Sequence, residues 1–137
     1  MDLRDTPEEA QFRSDLRAWI AQNLPEDKRG SRGGAQRFDD PFMREWSRTL
    51  YEAGYAGLTW PKEYGGEGAP PSFQAILYEE LAAVQAPTHV GVIGLNMAGP
   101  TIIAHGTEEQ KARYLRPRGR WVRTLASGIR YTAVFRV

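Results

Sequence analysis

Apolar positions recur at helical spacing along most of this chain. Phe12, Leu16, Trp19 and Ile20 fall at i, i+4, i+7 and i+8, which puts a single apolar stripe on a helix. Thr6 with Glu9 three residues on is a capping-box pattern, Pro7 suits the first helical position, and Pro25 ends the run. A second helix is expected from Asp40-Pro41, with Phe42, Trp46, Leu50 and Ala53 as its stripe and Gly54 as its stop. The third, from about Ser72 to Gln85, carries Phe73, Ile76, Leu77, Leu81 and Val84 on one face, with Glu79 and Glu80 at or beyond its edge. Thr107 and Gln110 form a second capping box, opening a helix that carries Ala112, Tyr114 and Leu115.

The intervening segments differ in character. Residues 26–38 are polar and Gly-rich, and read as a surface loop. Residues 55–71 are rich in Gly and Pro, but Tyr55, Trp60 and Tyr64 argue that this connection packs down. Residues 88–106 (THVGVIGLNMAGPTIIAHG) allow two readings. VGVI has strand propensity. Thr88 as a cap and an apolar run closing at Pro100 and Gly106 suit two short buried helices equally well. The expected fold class is all-α: a bundle of five or six helices joined by Gly/Pro turns, with an irregular or short-strand C-terminal tail.

Composition sets bounds on this picture. At 137 residues the chain has one domain's length, and 41% apolar residues suffice for a core. The absence of Cys excludes a disulfide framework, a thiolate zinc site and a Cys nucleophile; two His cannot make a three-histidine metal site, so no metal site is expected. No apolar run approaches a membrane span, and the acidic N-terminus lacks the apolar region of a signal peptide, so a cytoplasmic location is expected. The net charge of +1 conceals a split. All 17 acidic residues lie before residue 110, together with 10 of the 18 Lys and Arg; the other 8 basic residues lie in 110–137.

Little of the polar inventory points to chemistry. Gly65-Gly66-Glu67-Gly68 neither follows a strand nor ends in Lys-Ser/Thr, so it reads as a turn rather than a phosphate cradle. Glu79 and Glu80 are adjacent on a helix and point apart, as solvated or helix-packing carboxylates. His89 and His105 fall near helix ends, where a terminal interaction is ordinary. Ser31 and Ser72 lack a His partner in any recognisable motif. No catalytic or cofactor-binding residue is assigned. Gly91, Gly94, Ala98 and Gly99 leave room beside a helix.

Three segments carry a family resemblance. They are Gly57-Leu58-Thr59-Trp60-Pro61-Lys62-Glu63-Tyr64-Gly65-Gly66, Glu79-Glu80-Leu81-Ala82, and His105 to Pro117. In this order and spacing, residues 3–117 resemble the N-terminal helical domain of the acyl-CoA dehydrogenase family. The resemblance implies a protein whose full-length members use FAD to dehydrogenate acyl-CoA thioesters at Cα–Cβ and pass the electrons to an electron-transfer flavoprotein. It also implies that Val90–Ile103 is either core or one wall of the acyl-chain pocket, with Leu95, Ala98 and Gly99 as the wall residues. The family's flavin-binding β domain and its C-terminal bundle, which carries the catalytic Glu, have no counterpart in this sequence. Residues 1–117 are therefore expected to be the family domain and 118–137 a basic tail unlike the family, as a reading-frame shift would produce. The fragment is expected to be inactive alone, to bind no FAD, and to self-associate through an exposed apolar face. The alternative is a stand-alone helical interaction or dimerisation module with a basic C-terminal arm. Its pattern of basic and aromatic residues is weak evidence for nucleic acid.

Overall fold

The computed structural model describes residues 4–30, 41–87, 89, 91 and 93–115. Five α-helices, and no strand, occur among the described residues: α1 (Pro7–Asn23), α2 (Pro41–Glu52), α3 (Pro71–Ala83), α4 (Gly99–His105) and α5 (Glu108–Tyr114). The expected tail 118–137 and the proposed cap Asp40 lie outside the described residues, as does most of the loop 26–38, whose first residues, Glu26–Lys28, form a single 3₁₀ turn.

Both capping boxes form. Thr6 Oγ1 accepts from the Glu9 N–H, and Glu9 accepts in return from the Thr6 N–H; Thr107 and Gln110 do the same at α5. In α1, Leu16 and Ile20 are buried while Phe12 and Trp19 flank them. The stripe on α2 departs from expectation. Ala53 lies past the last helical turn and is exposed, and the buried set is Met43, Trp46, Ser47 and Leu50. Those positions recur at i, i+3, i+4 and i+7, and the small Ser47 is fully buried among them.

α2 and α3 end in the same way. After α2, Gly54 takes φ +82 and donates to the Tyr51 carbonyl, while the Tyr55 N–H reaches Leu50. After α3, Gln85 takes φ +50 and donates to Ala82, while the Ala86 N–H reaches Leu81. Each is a Schellman closure, which needs a left-handed residue. Glycine adopts that conformation freely; Gln85 does so at a cost of about 1 kcal/mol. Gln85→Gly should accordingly raise unfolding stability by up to about 1 kcal/mol, measured as an increase in the urea midpoint.

The first core joins α1, α2 and α3 through Leu16, Ile20, Leu24, Trp46, Leu50, Leu58, Ile76, Leu77 and Ala86. Aromatic rings close its rim: Phe12 lies 4.7 Å from Phe73, and Trp19 meets Tyr55 edge-on at 4.8 Å. The Trp46 indole N–H donates to the Pro87 carbonyl at 3.1 Å, fastening the chain beyond α3 to α2.

Glu80 is buried on α3, facing α1. Its carboxylate accepts two bonds from Arg17 (2.7 and 2.9 Å) and one from Arg13 (2.8 Å), and Arg13 also reaches Asp5 and Glu79. Arg17 first, and Arg13 after it, hold the Glu80 carboxyl below the usual carboxylate range. Glu80→Gln keeps the shape but removes the charge from these bonds. It should cost about 1–2 kcal/mol in chemical denaturation, with exposed Glu79→Gln within about 0.5 kcal/mol of wild type.

Candidate functional site

The segment from Ile93 to His105 is one continuous helical run rather than two short helices. It opens with a π-turn, Gly94–Ala98, and passes into α4 with Ala98 and Gly99 both in helical conformation. Pro100 therefore does not close the apolar run but sits inside it, in the first turn of α4. The wider turn makes this tolerable: the Gly99 N–H donates to Gly94, five residues back. VGVI falls partly outside the described residues, and its last residue, Ile93, is helical.

Trp60 organises the inner side of this run. It forms a second core with Ile102 and Leu115, flanked by Tyr64, Leu95, Ile103 and Tyr114. A Cβ on Gly99 would stand 2.0 Å from the Trp60 ring, and one on Gly66 would stand 2.2 Å from the Trp60 carbonyl oxygen. Both glycines are thus required by the close approach of Trp60. Gly65-Gly66-Glu67-Gly68 accordingly belongs to a packed turn, in which Gly65 and Gly68 take positive φ.

Of the three residues proposed for a pocket wall, Leu95 is partly buried, with Cδ2 within 3.8 Å of where a Cβ on Gly57 would stand. Gly99 is buried under the Trp60 ring and Ala98 is half-buried. The outward side of the run is formed by others. Ile93 and Met97, one turn apart, are 48% and 64% exposed, and Tyr78 on α3 is 45% exposed. Among the described residues these are the large hydrophobic side chains left open to solvent. The Tyr78 hydroxyl donates to Asn96 Oδ1 at 2.8 Å, linking α3 to this face. The pattern of small residues gives Ile93 and Met97 no place in the wall, although their i, i+4 spacing is a usable signal.

His89 lies at the other end of the segment. Its Nδ1 accepts from the Gly91 N–H at 2.8 Å, which leaves the proton on Nε2; that atom is buried without a hydrogen-bond partner. Burial pushes the His89 pKa down to about 4, against a smaller opposing effect of the Ser47 backbone. His105 ends α4, and Ser72 lies exposed in the first turn of α3. Ser31 lies outside the described residues. Among the described residues, no three of His, Asp and Glu converge as metal ligands, and no helix is long and apolar enough to cross a membrane. The face can offer apolar contact and one polar pair; it presents no nucleophile with an adjacent base.

Comparison with known proteins bears on this arrangement. Residues 6–120 match the family described as acyl-CoA dehydrogenase, N-terminal domain. The chain is 39% identical over 109 residues to acyl-CoA dehydrogenase IpdE1 of Mycobacterium tuberculosis, covering 77% of this chain and 28% of that protein. It is 34% identical over 120 residues to acyl-CoA dehydrogenase FadE26 of the same organism, covering 86% and 29%. Among solved structures, the Tcur3481-Tcur3483 steroid ACAD superposes with a TM-score of 0.71 at 37% identity, covering 93% of this chain and 31% of that one. The ChsE4-ChsE5 complex of M. tuberculosis gives 0.66 at 30% identity, covering 95% and 30%. The chain thus spans less than a third of the length of the relatives it matches.

Proposed function

The chain belongs to the acyl-CoA dehydrogenase family through its N-terminal domain, and on that premise we propose that it supplies one wall of an acyl-thioester pocket. The observation that carries this reading is the outward apolar face of the π-turn, where Ile93 and Met97 stand exposed beside half-buried Ala98. Leu95 and Gly99 support that wall from behind, packed on Trp60. An acyl chain gains from such a surface by burial of apolar area, about 25 cal/mol for each Å² removed from water. In the whole protein FAD, when bound, supplies the hydride acceptor for α,β-dehydrogenation, and the electrons pass to an electron-transfer flavoprotein.

The face does not itself fit the flavin dinucleotide. A pyrophosphate calls for cations or free N–H donors, whereas Tyr78, Ile93 and Met97 present hydrocarbon and the Tyr78 hydroxyl is already given to Asn96. Neither is there a base on the face placed to take an α-proton. We therefore propose that the 137-residue polypeptide holds no FAD and does not dehydrogenate acyl-CoA alone, and that the family domain gives way near residue 117 to a segment of different character. The purified chain should show no flavin absorbance; stoichiometric bound FAD would overturn this.

The wall is testable in a chimera in which residues 6–115 replace the matching segment of full-length IpdE1. Flavin should remain bound, and Met97→Asp in that chimera should lower kcat/KM for acyl-CoA by about ten-fold, the loss of roughly one well-buried side chain's contact. Unchanged kcat/KM would count against the wall.

The same exposed trio favours a second reading, association with another copy or a related chain. Two of the matched structures are named as paired proteins, Tcur3481-Tcur3483 and ChsE4-ChsE5. Under this reading sedimentation of the chain is concentration-dependent, and Ile93→Asp abolishes the dependence.

A further inference from the structure

Pro100 creates a vacancy in the hydrogen bonding of its own helix. It has no N–H for the carbonyl four residues back, Asn96, or five back, Leu95, and in a regular α turn its ring would crowd the Asn96 carbonyl. The π-turn relieves the crowding, and the Gly99 N–H consequently goes to Gly94 rather than to Leu95. Both backbone groups that would serve the Leu95 carbonyl, those of residues 99 and 100, are therefore spent or missing. A side chain fills the gap: the Trp60 indole N–H donates to the Leu95 carbonyl at 3.1 Å across 35 residues of sequence. The approach is possible because Gly99 has no side chain to meet the ring, and Gly66 none to meet the backbone of Trp60.

We propose that Trp60 is the positioning residue of the exposed face, its indole N–H standing in for the backbone donor that Pro100 lacks. The bond locks the first turn of the Ile93–His105 run to the 57–66 turn, and so holds Ile93, Asn96 and Met97 in place. Its bearing on an acyl chain rests on the pocket-wall reading; the lock itself does not. A ring that merely filled space would need no particular partner, whereas a donor substituting for an absent N–H becomes dispensable once that N–H is restored. Pro100→Ala restores it. The helix can then return to α register, with the restored N–H at position 100 donating to Asn96 and Gly99 donating to Leu95.

Amide hydrogen exchange on the full 137-residue chain, read by NMR, separates the two roles. Trp60→Phe keeps a ring and removes the donor, and should speed exchange of the Gly99 amide about ten-fold relative to amides of α1, as expected for one unsatisfied buried carbonyl. Adding Pro100→Ala to Trp60→Phe should bring that rate back to within about three-fold of wild type. A deficit that Pro100→Ala leaves untouched overturns the proposal. If Trp60→Phe fails to fold, Pro100→Ala alone decides: the Trp60 indole proton should exchange about ten-fold faster once Gly99 competes for Leu95, and unchanged protection overturns the proposal. Neither measurement involves a ligand, so failure of the lock is distinguishable from failure of the wall in the chimera.

Discussion

Gly99→Ala is expected to be among the most damaging single-methyl changes in this chain, lowering stability by about 3 kcal/mol or preventing the second core from forming. The added Cβ would stand 2.0 and 2.2 Å from two carbons of the Trp60 ring and 3.0 Å from the Gly94 carbonyl oxygen. The ring has little room to retreat, because its nitrogen is committed to Leu95 and its own backbone is closed in by Gly66. Helix propensity acts in the opposite direction, since Ala is favoured over Gly by about 1 kcal/mol within a helix; steric overlap of this size outweighs it. Urea denaturation followed by circular dichroism measures the loss, and Thr101→Ala serves as a control. That change removes an exposed hydroxyl bonded to the Met97 carbonyl and should cost under about 0.5 kcal/mol. A Gly99→Ala protein as stable as wild type would contradict the packing described for Trp60.

Acid should destabilise the fold through His89 before the carboxylates contribute. The folded-state pKa is about 4 against an ordinary value of 6.5, so between those values the unfolded chain binds a proton that the folded chain refuses. Stability is complete above pH 6.5 and falls with pH at up to about 1.4 kcal/mol per unit, for a total of about 3 kcal/mol at pH 4. Two structural facts lie behind the refusal. A proton on Nδ1 would face the Gly91 N–H that now donates to it, and the charge would be buried, with the Ser47 backbone offsetting only part of that cost. Asp5, Glu9 and Glu80 have lowered pKa values, so their stabilisation is present above the ordinary carboxylate range and is lost only as pH falls below it. The window from pH 6.5 to 5 therefore reports His89. His89→Gln, which cannot titrate, should flatten the slope of unfolding free energy there; an unchanged slope would refute the assignment.

How much of this was legible in the sequence varies with the range of the interaction. The capping boxes at Thr6 and Thr107 and the stripe of α1 depend on residues three to eight apart, and the structure bears them out. Placing Ala53 in a buried stripe failed because the helix ends just before it, at a boundary fixed by the Gly54 closure. Gln85 gave no warning, since the left-handed position after a helix is ordinarily read from glycine. The candidate site shows the limit most clearly. A proline within an apolar run reads as a stop. Whether it stops the helix here depends on an indole 40 residues earlier and on two glycines with nothing but Trp60 in common. The small residues around 91–99 were visible as a pattern, but what they accommodate was not.

Leu58 and Trp60 are two residues apart, yet the first is buried with α1–α3 and the second with α4 and α5. Exposed Thr59 lies between them. The domain's two oily interiors are thus stitched together by a tripeptide whose spacing is fixed at both ends. Its one outward residue, Thr59, is free to drift over evolutionary time, but inserting or deleting one residue there would pull one anchor out of its socket. Length polymorphism among natural variants of this chain should therefore be missing from this stitch, and should accumulate where no side chain has to reach both interiors.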